Sequence, residues 1–231
     1  MHAFSRFLRR TFFSGAIVLA LGCATGCQYS VKIESPNNGV FTTPVEQFRV
    51  RFHNDADVST FSAKLNGQDI TGRFTPAPMP GQTSTATSDF MDGWGQTLEV
   101  HASFKTPSSG IPTKATNDMR QFTPPGVFVF LGNSTSNNNL SVKERDTIRA
   151  TVMVNDPPPR EGLVVTLTTD ENPAVSLNNA AAGTPITVTI PANDRRADFT
   201  VRGIQAGKAF VVRPRAHGYG SHGGSGTVLY P

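Results

Sequence analysis

From residue 28 onward, apolar and polar positions alternate in short runs, and no window sustains an apolar repeat at helical spacing. Tyr29, Val31 and Ile33 share one face before Ser35-Pro36-Asn37-Asn38-Gly39 interrupts the strand. Phe48, Val50 and Phe52 then alternate with Gln47, Arg49 and Arg51, the pattern of a strand with one buried side. Phe61, Ala63 and Leu65 repeat it, and Asn66-Gly67 follows. Both residues of that pair tolerate positive φ at little cost, so the spacing predicts a hairpin returning through residues 68–74. Residues 75–88, rich in Pro, Gly, Ser and Thr, read as a loop with room for one short strand. After Gly93-Trp94-Gly95, the cleanest strand of this half places Leu98, Val100, Ala102 and Phe104 on one face. Trp94, the single tryptophan, is expected as a core plug or turn cover rather than a ligand platform.

Phe122-Thr123-Pro124-Pro125-Gly126 makes a short stiff joint, and the alternation then resumes. Strands are expected over residues 127–131, at Ile148, Ala150, Val152 and Val154, over 164–168, at Ile186, Val188 and Ile190, at Ala197, Phe199 and Val201, over 209–212 and over 227–230. Asn155-Asp156-Pro157-Pro158-Pro159 and Asp170-Glu171-Asn172-Pro173 punctuate them. At least seven short strands with turn signals between them satisfy a Greek-key sandwich. The chain is therefore expected to be all-β, with two sandwiches in tandem over residues 29–123 and 124–231.

The one long apolar run lies ahead of these strands. Residues 12–21 are apolar apart from Ser14 and Gly15, and Arg6, Arg9 and Arg10 precede them with no acidic residue. That is the basic region and apolar core of a secretory signal. It falls short of the roughly twenty apolar residues that a membrane-spanning helix needs. Residues 1–22 are thus expected to be a signal peptide that is cleaved. Both cysteines of the chain, Cys23 and Cys27, stand at its end, so the sandwiches are expected to hold together without disulfides.

Leu19-Ala20-Leu21-Gly22-Cys23 resembles the lipobox of bacterial lipoproteins, in which small residues precede a cysteine that becomes the acylated N-terminus. The resemblance implies Cys23 as the lipid-bearing residue, with residues 23–28 as tether. Ala24-Thr25-Gly26-Cys27 offers Cys27 as the alternative. Ordinary cleavage after Gly22 or Gly26, or a Cys23–Cys27 disulfide in an oxidising compartment, remain open. Arg9-Arg10-Thr11-Phe12-Phe13 also resembles a twin-arginine export signal, a pairing common in signal peptides of either route. The full chain carries 21 basic and 17 acidic side chains. Loss of the three leader arginines leaves 18 against 17, a net of +1, and no nucleic-acid partner is inferred.

Residues 165–209 are similar to the immunoglobulin-like repeats of bacterial surface and adhesin proteins. Asn172-Pro173-Ala174-Val175, Val188-Thr189-Ile190-Pro191-Ala192 and Ala206-Gly207-Lys208-Ala209 carry the match, and Leu65-Asn66-Gly67-Gln68-Asp69-Ile70-Thr71 resembles the hairpin of a related group. The resemblance implies two immunoglobulin-like sandwiches. Its motifs are turn and strand grammar and encode fold rather than activity. Residues 140–154 also resemble a Calx-β unit, although no acidic cluster matches that family's calcium sites.

Candidate chemistry is sparse, and no catalytic residue, metal ligand or cofactor is assigned. His53 and His101 read as polar-face residues, and Asp55 and Asp57 as turn residues rather than the six or more oxygens a calcium ion requires. Arg195-Arg196 between Asp194 and Asp198 reads as a solvated hairpin tip with internal charge pairing. In His217-Gly218-Tyr219-Gly220-Ser221-His222-Gly223-Gly224 two imidazoles and a serine sit on what reads as a mobile glycine-rich loop. There is no nucleophile elbow, P-loop or dinucleotide fingerprint. The expected function is a non-catalytic, lipid-anchored spacer or binding module of the bacterial envelope, at the outer membrane. Its partners would be envelope proteins or glycans, engaged by loops 75–88 and 217–226. The alternative is a small envelope enzyme or accessory subunit, which would require His217, Ser221 and His222 to converge on an acidic residue in a pocket.

Overall fold

The computed structural model describes residues 28–88, 91–105, 114–132, 140–169 and 174–231. The leader, Cys23, Cys27 and Asn172-Pro173 lie outside them. Among the described residues, ten strands fall before the proline joint: β1 (Gln28–Tyr29), β2 (Val31–Ser35), β3 (Gly39–Val40), β4 (Gln47–Phe52), β5 (Ala56–Leu65), β6 (Gln68–Asp69), β7 (Thr83–Thr87), β8 (Gln96–Phe104), β9 (Lys114–Ala115) and β10 (Asn117–Thr123). Ten follow it: β11 (Gly126–Leu131), β12 (Leu140–Lys143), β13 (Thr147–Val154), β14 (Leu163–Thr169), β15 (Val175–Leu177), β16 (Ile186–Ile190), β17 (Arg196–Gly203), β18 (Ala209–Arg215), β19 (Gly220–His222) and β20 (Gly224–Leu229).

In the first half, a three-stranded sheet, β2-β4-β7, faces a five-stranded one, β3-β10-β8-β5-β6, with the parallel pair β1-β9 beside them. Phe48, Val50 and Phe52 are buried while Gln47, Arg49 and Arg51 face water, as the alternation requires. Their side chains share one core with Phe61, Leu65, Leu98 and Phe122. The Asn66-Gly67 hairpin closes with both residues at positive φ, 52° and 81°. Residues 75–88, expected as a loop with room for one short strand, contain one, β7, whose Ser84 and Ala86 are buried.

The two sheets of this half are also joined by a polar contact that the apolar pattern conceals. Asp118 sits on β10 with 8% of its surface exposed. One carboxylate oxygen accepts the Ile33 backbone N–H from β2 at 2.9 Å, and the other accepts from Arg120 at 2.5 Å and the Met119 N–H at 2.9 Å. Hydrogen bonds and a paired cation together offset the cost of taking that charge out of water.

The second half is a sandwich of β15-β17-β13-β11-β19 on β12-β20-β18-β14-β16. Its core includes Val129, Val152, Leu167, Ile190, Phe199 and Phe210, with Ile186 and Val188 packed partly buried against it. Phe199 is 3% exposed, on the inward face that the alternation assigned to it. At the 194–198 tip the charge pairing differs from expectation. Asp194 accepts the backbone N–H groups of Arg195 and Arg196, at 2.7 and 3.3 Å. Asp198 instead reaches across the sheet to Arg149 and Thr151 on β13. Those two contacts hold its carboxyl below the usual carboxylate range.

Candidate functional site

A hydrogen-bonded irregular region lies where the two sandwiches meet, and the 217–224 stretch builds it. This stretch reads in the sequence as a mobile loop, but residues 220–222 form β19, paired in parallel with β11, and residues 224–229 form β20. Tyr219 is 2% exposed. The glycines are what permit this burial. At Gly218, φ is +78°, and a Cβ would stand 2.6 Å from the Pro44 side chain and 2.9 Å from the Val45 nitrogen. At Gly220, a Cβ would stand 2.3 Å from the Gly93 carbonyl oxygen. Glycine here marks backbone approaching backbone, not freedom of motion.

Three backbone hydrogen bonds lace the halves together: Val45 N–H to Gly218 O, Gly93 N–H to Ser221 O and Ser221 N–H to Met91 O, each at 3.0 Å. Gly220 N–H also donates to Pro125 O of the joint at 2.8 Å. Asp92 and Ser221 thereby form a parallel bridge between the sandwiches. Trp94 closes the same seam from the first half. Its ring centroid lies 4.5 Å from that of His222 and 5.1 Å from that of Phe128, while the Phe128 and His222 rings stack at 4.6 Å and 11°. At 46% exposed, Trp94 is a turn cover and not a core plug.

The histidines and the serine of the stretch do not converge. His222 Nε2 is buried without a hydrogen-bond partner, and burial lowers the ring's pKa. Ser221 Oγ donates to Pro214 O at 2.5 Å. His217 lines a separate groove of about 340 Å³ with Glu46, Arg73 and Thr85 among its other walls. The Tyr219 hydroxyl is also buried without a partner, and burial, with Asp156's charge second, raises its pKa. A nucleophile needs a base within hydrogen-bond reach, and here the serine proton goes to a carbonyl while the adjacent imidazole packs against the Trp94 and Phe128 rings. Among the described residues, no group of three or more His, Cys, Asp or Glu side chains could hold a metal ion.

The other candidates are local devices. Asp55 is a turn residue, as expected, and its N–H donates to His53 Nδ1 at 3.1 Å. Asp57, expected in a turn, instead lies on β5 opposite Ser103, where the register shifts, and accepts both the Ser59 N–H and hydroxyl, at 3.2 and 2.6 Å. His101 is exposed on β8. Residue-type patterns could not reveal the seam, because Met91, Trp94 and Ser221 meet only once both sandwiches have formed.

No protein-family model matches the chain, and no curated protein does. Among solved structures, the chain is similar to a β-glycosidase from Bacteroides vulgatus at 13% identity and a TM-score of 0.33, over 86% of this chain and 24% of the glycosidase. It is also similar to the CBD12 unit of CALX1.2 at 15% identity and 0.25, over 80% and 79% of the two chains. A third similarity is to the teleost fish polymeric Ig receptor ectodomain, at 7% identity and 0.29, over 87% and 99%. These similarities assign the chain no substrate or partner.

Proposed function

We propose that this chain is a lipid-anchored envelope protein whose two immunoglobulin-like sandwiches act as a stiff, non-catalytic spacer that presents binding surfaces to envelope proteins or glycans. One observation carries the reading: the sandwiches are laced by backbone hydrogen bonds from Gly93, Ser221 and Val45 in addition to the short proline joint. Tandem domains joined only by a linker move relative to one another by default, and their function is then set by linker length. Backbone bonds under an aromatic cover remove that freedom and hold the two sandwiches in one arrangement.

Small-angle scattering on the soluble form beginning at Gln28 tests the spacer: a single rigid shape is expected, and independently tumbling halves would overturn it. Anchoring is tested by fatty-acid labelling and fractionation. Cys23→Ser should release the protein from membranes and abolish the label. A variant that stays bound and labelled would transfer the assignment to Cys27.

A further inference from the structure

Sheet edges invite pairing with other chains, and among the described residues nearly every edge is blunted. β3, β6, β15 and β19 are two or three residues long. β2 carries Lys32 and Glu34 and a register shift between Ile33 and Ser35. β7 is covered by Thr75, which exchanges two backbone hydrogen bonds with Thr85 at 2.7 and 2.8 Å. β12 is four residues long and ends in Lys143.

β16 is the exception. It is a regular five-residue strand paired on one side with β14, and among the described residues no strand pairs with its other side. It contains no charge, proline or bulge. Neither does the facing segment of β14, whose Val164 is 59% exposed. Ile186 and Val188 reach the core only partly buried, so the sandwich is left open along this edge.

The sequence of this strand also says what fits it. Residues 185–191 read Pro-Ile-Thr-Val-Thr-Ile-Pro, the same in both directions. An antiparallel partner of identical sequence centred on Val188 sets Val188 against Val188, Thr187 against Thr189 and Ile186 against Ile190, so every cross-strand pair matches in kind. The flanking prolines lack the N–H needed to extend the ladder and so confine it to these five residues. We propose that β16 is a self-pairing edge through which two copies of this chain join about a two-fold axis, continuing the β12-β20-β18-β14-β16 sheet from one copy into the other. The proposal stands apart from the anchoring and spacer reading, since it depends on this edge alone.

The test is disulfide trapping on the full chain. Opposed Cα atoms in an antiparallel pair lie about 4.5–5.5 Å apart, within the range a disulfide spans. Val188→Cys should therefore give a covalent dimer on mild oxidation, while the unsubstituted chain controls for Cys23 and Cys27. Thr187→Lys with Thr189→Lys, at exposed positions that leave the sandwich intact, sets two like-charged pairs face to face and should cut trapping of Val188→Cys about tenfold or more. The melting curve of the lysine variant confirms that it is folded. Absence of a trapped dimer, a dimer indifferent to the lysines, or trapping onto a different protein would each overturn the proposal.

Discussion

Gly220→Ala puts the seam under direct strain. The added Cβ would stand 2.3 Å from the Gly93 carbonyl oxygen and 3.3 Å from Pro124 Cγ. The first distance is more than about 1 Å short of van der Waals contact. Gly93 O is backbone and cannot rotate away as a side-chain tip would. Forcing the methyl in would cost about 1–3 kcal/mol. Opening the seam instead gives up the Gly93–Ser221 and Ser221–Met91 hydrogen bonds, at about 0.5–1.5 kcal/mol each. The two costs are comparable, whereas disturbing either sandwich core costs more per side chain, so the seam should yield first. Amide exchange at Gly93 and Ser221 should speed up by about five- to 150-fold, the equivalent of 1–3 kcal/mol, while exchange at core positions such as Val152 and Val50 stays put. Gly72→Ala is the control, because a Cβ there meets nothing within 4 Å. Unchanged exchange at Gly93 and Ser221 in Gly220→Ala would refute the idea that these bonds hold the halves together.

Phe199→Ala empties a buried site in the second core and should cost about 3–5 kcal/mol, while Thr200→Ala, whose hydroxyl reaches Asn178 at 3.3 Å, should cost about 1 kcal/mol or less in the same chemical-denaturation series. Asp118→Ala should destabilise the first half by about 2–4 kcal/mol, since it strands the Ile33 N–H and leaves the Arg120 guanidinium with only the Met119 and Ile33 carbonyls, and a melting curve like that of the unsubstituted chain would contradict it. Burial lowers the His222 pKa in the folded state, so the unfolded chain binds more protons below about pH 6.5. The stability this ring contributes is therefore full above that pH and declines as pH falls toward the folded value, and His222→Phe should flatten the decline in pH-dependent melts. The lowered carboxyls of Asp69 and Asp198 act in a lower window, with stability present above about pH 4 and lost as pH falls through their folded values.

Strands were legible in the sequence wherever burial is one-sided and local. The alternations at 47–52, 61–65, 98–102 and 197–201 each name their buried face correctly, because a half-buried strand imposes a period of two on its own residues. β7 was legible only as room for a short strand within residues 75–88, without its place or buried face, and β19 was not legible, because neither shows that period in apolar residues. β7 buries Ser84 and Ala86, and β19 is built from Gly, Ser and His. Asp118 was illegible for a related reason. A charge on an inward position breaks the apolar pattern, and only the arrival of Ile33 from another sheet explains it.

The same residue types therefore carry opposite meanings according to what approaches them. Gly67 turns a hairpin with nothing within 4 Å of its Cβ position, so a sequence reading that treats glycine as a turn signal succeeds there. Gly220 has backbone from the other sandwich in the place a Cβ would take, so the identical reading turns a buried seam into a mobile loop. What separates the two is the company each keeps. Asn66-Gly67 is a polar pair between alternating runs, whereas residues 217–224 interleave glycine with Tyr219 and His222, rings that need cover once the chain folds. Glycine beside large rings, with no proline and no charge other than histidine, is the composition expected where backbone must come close enough for aromatic side chains to be sealed over it. Here Trp94 supplies the seal from the opposite sandwich.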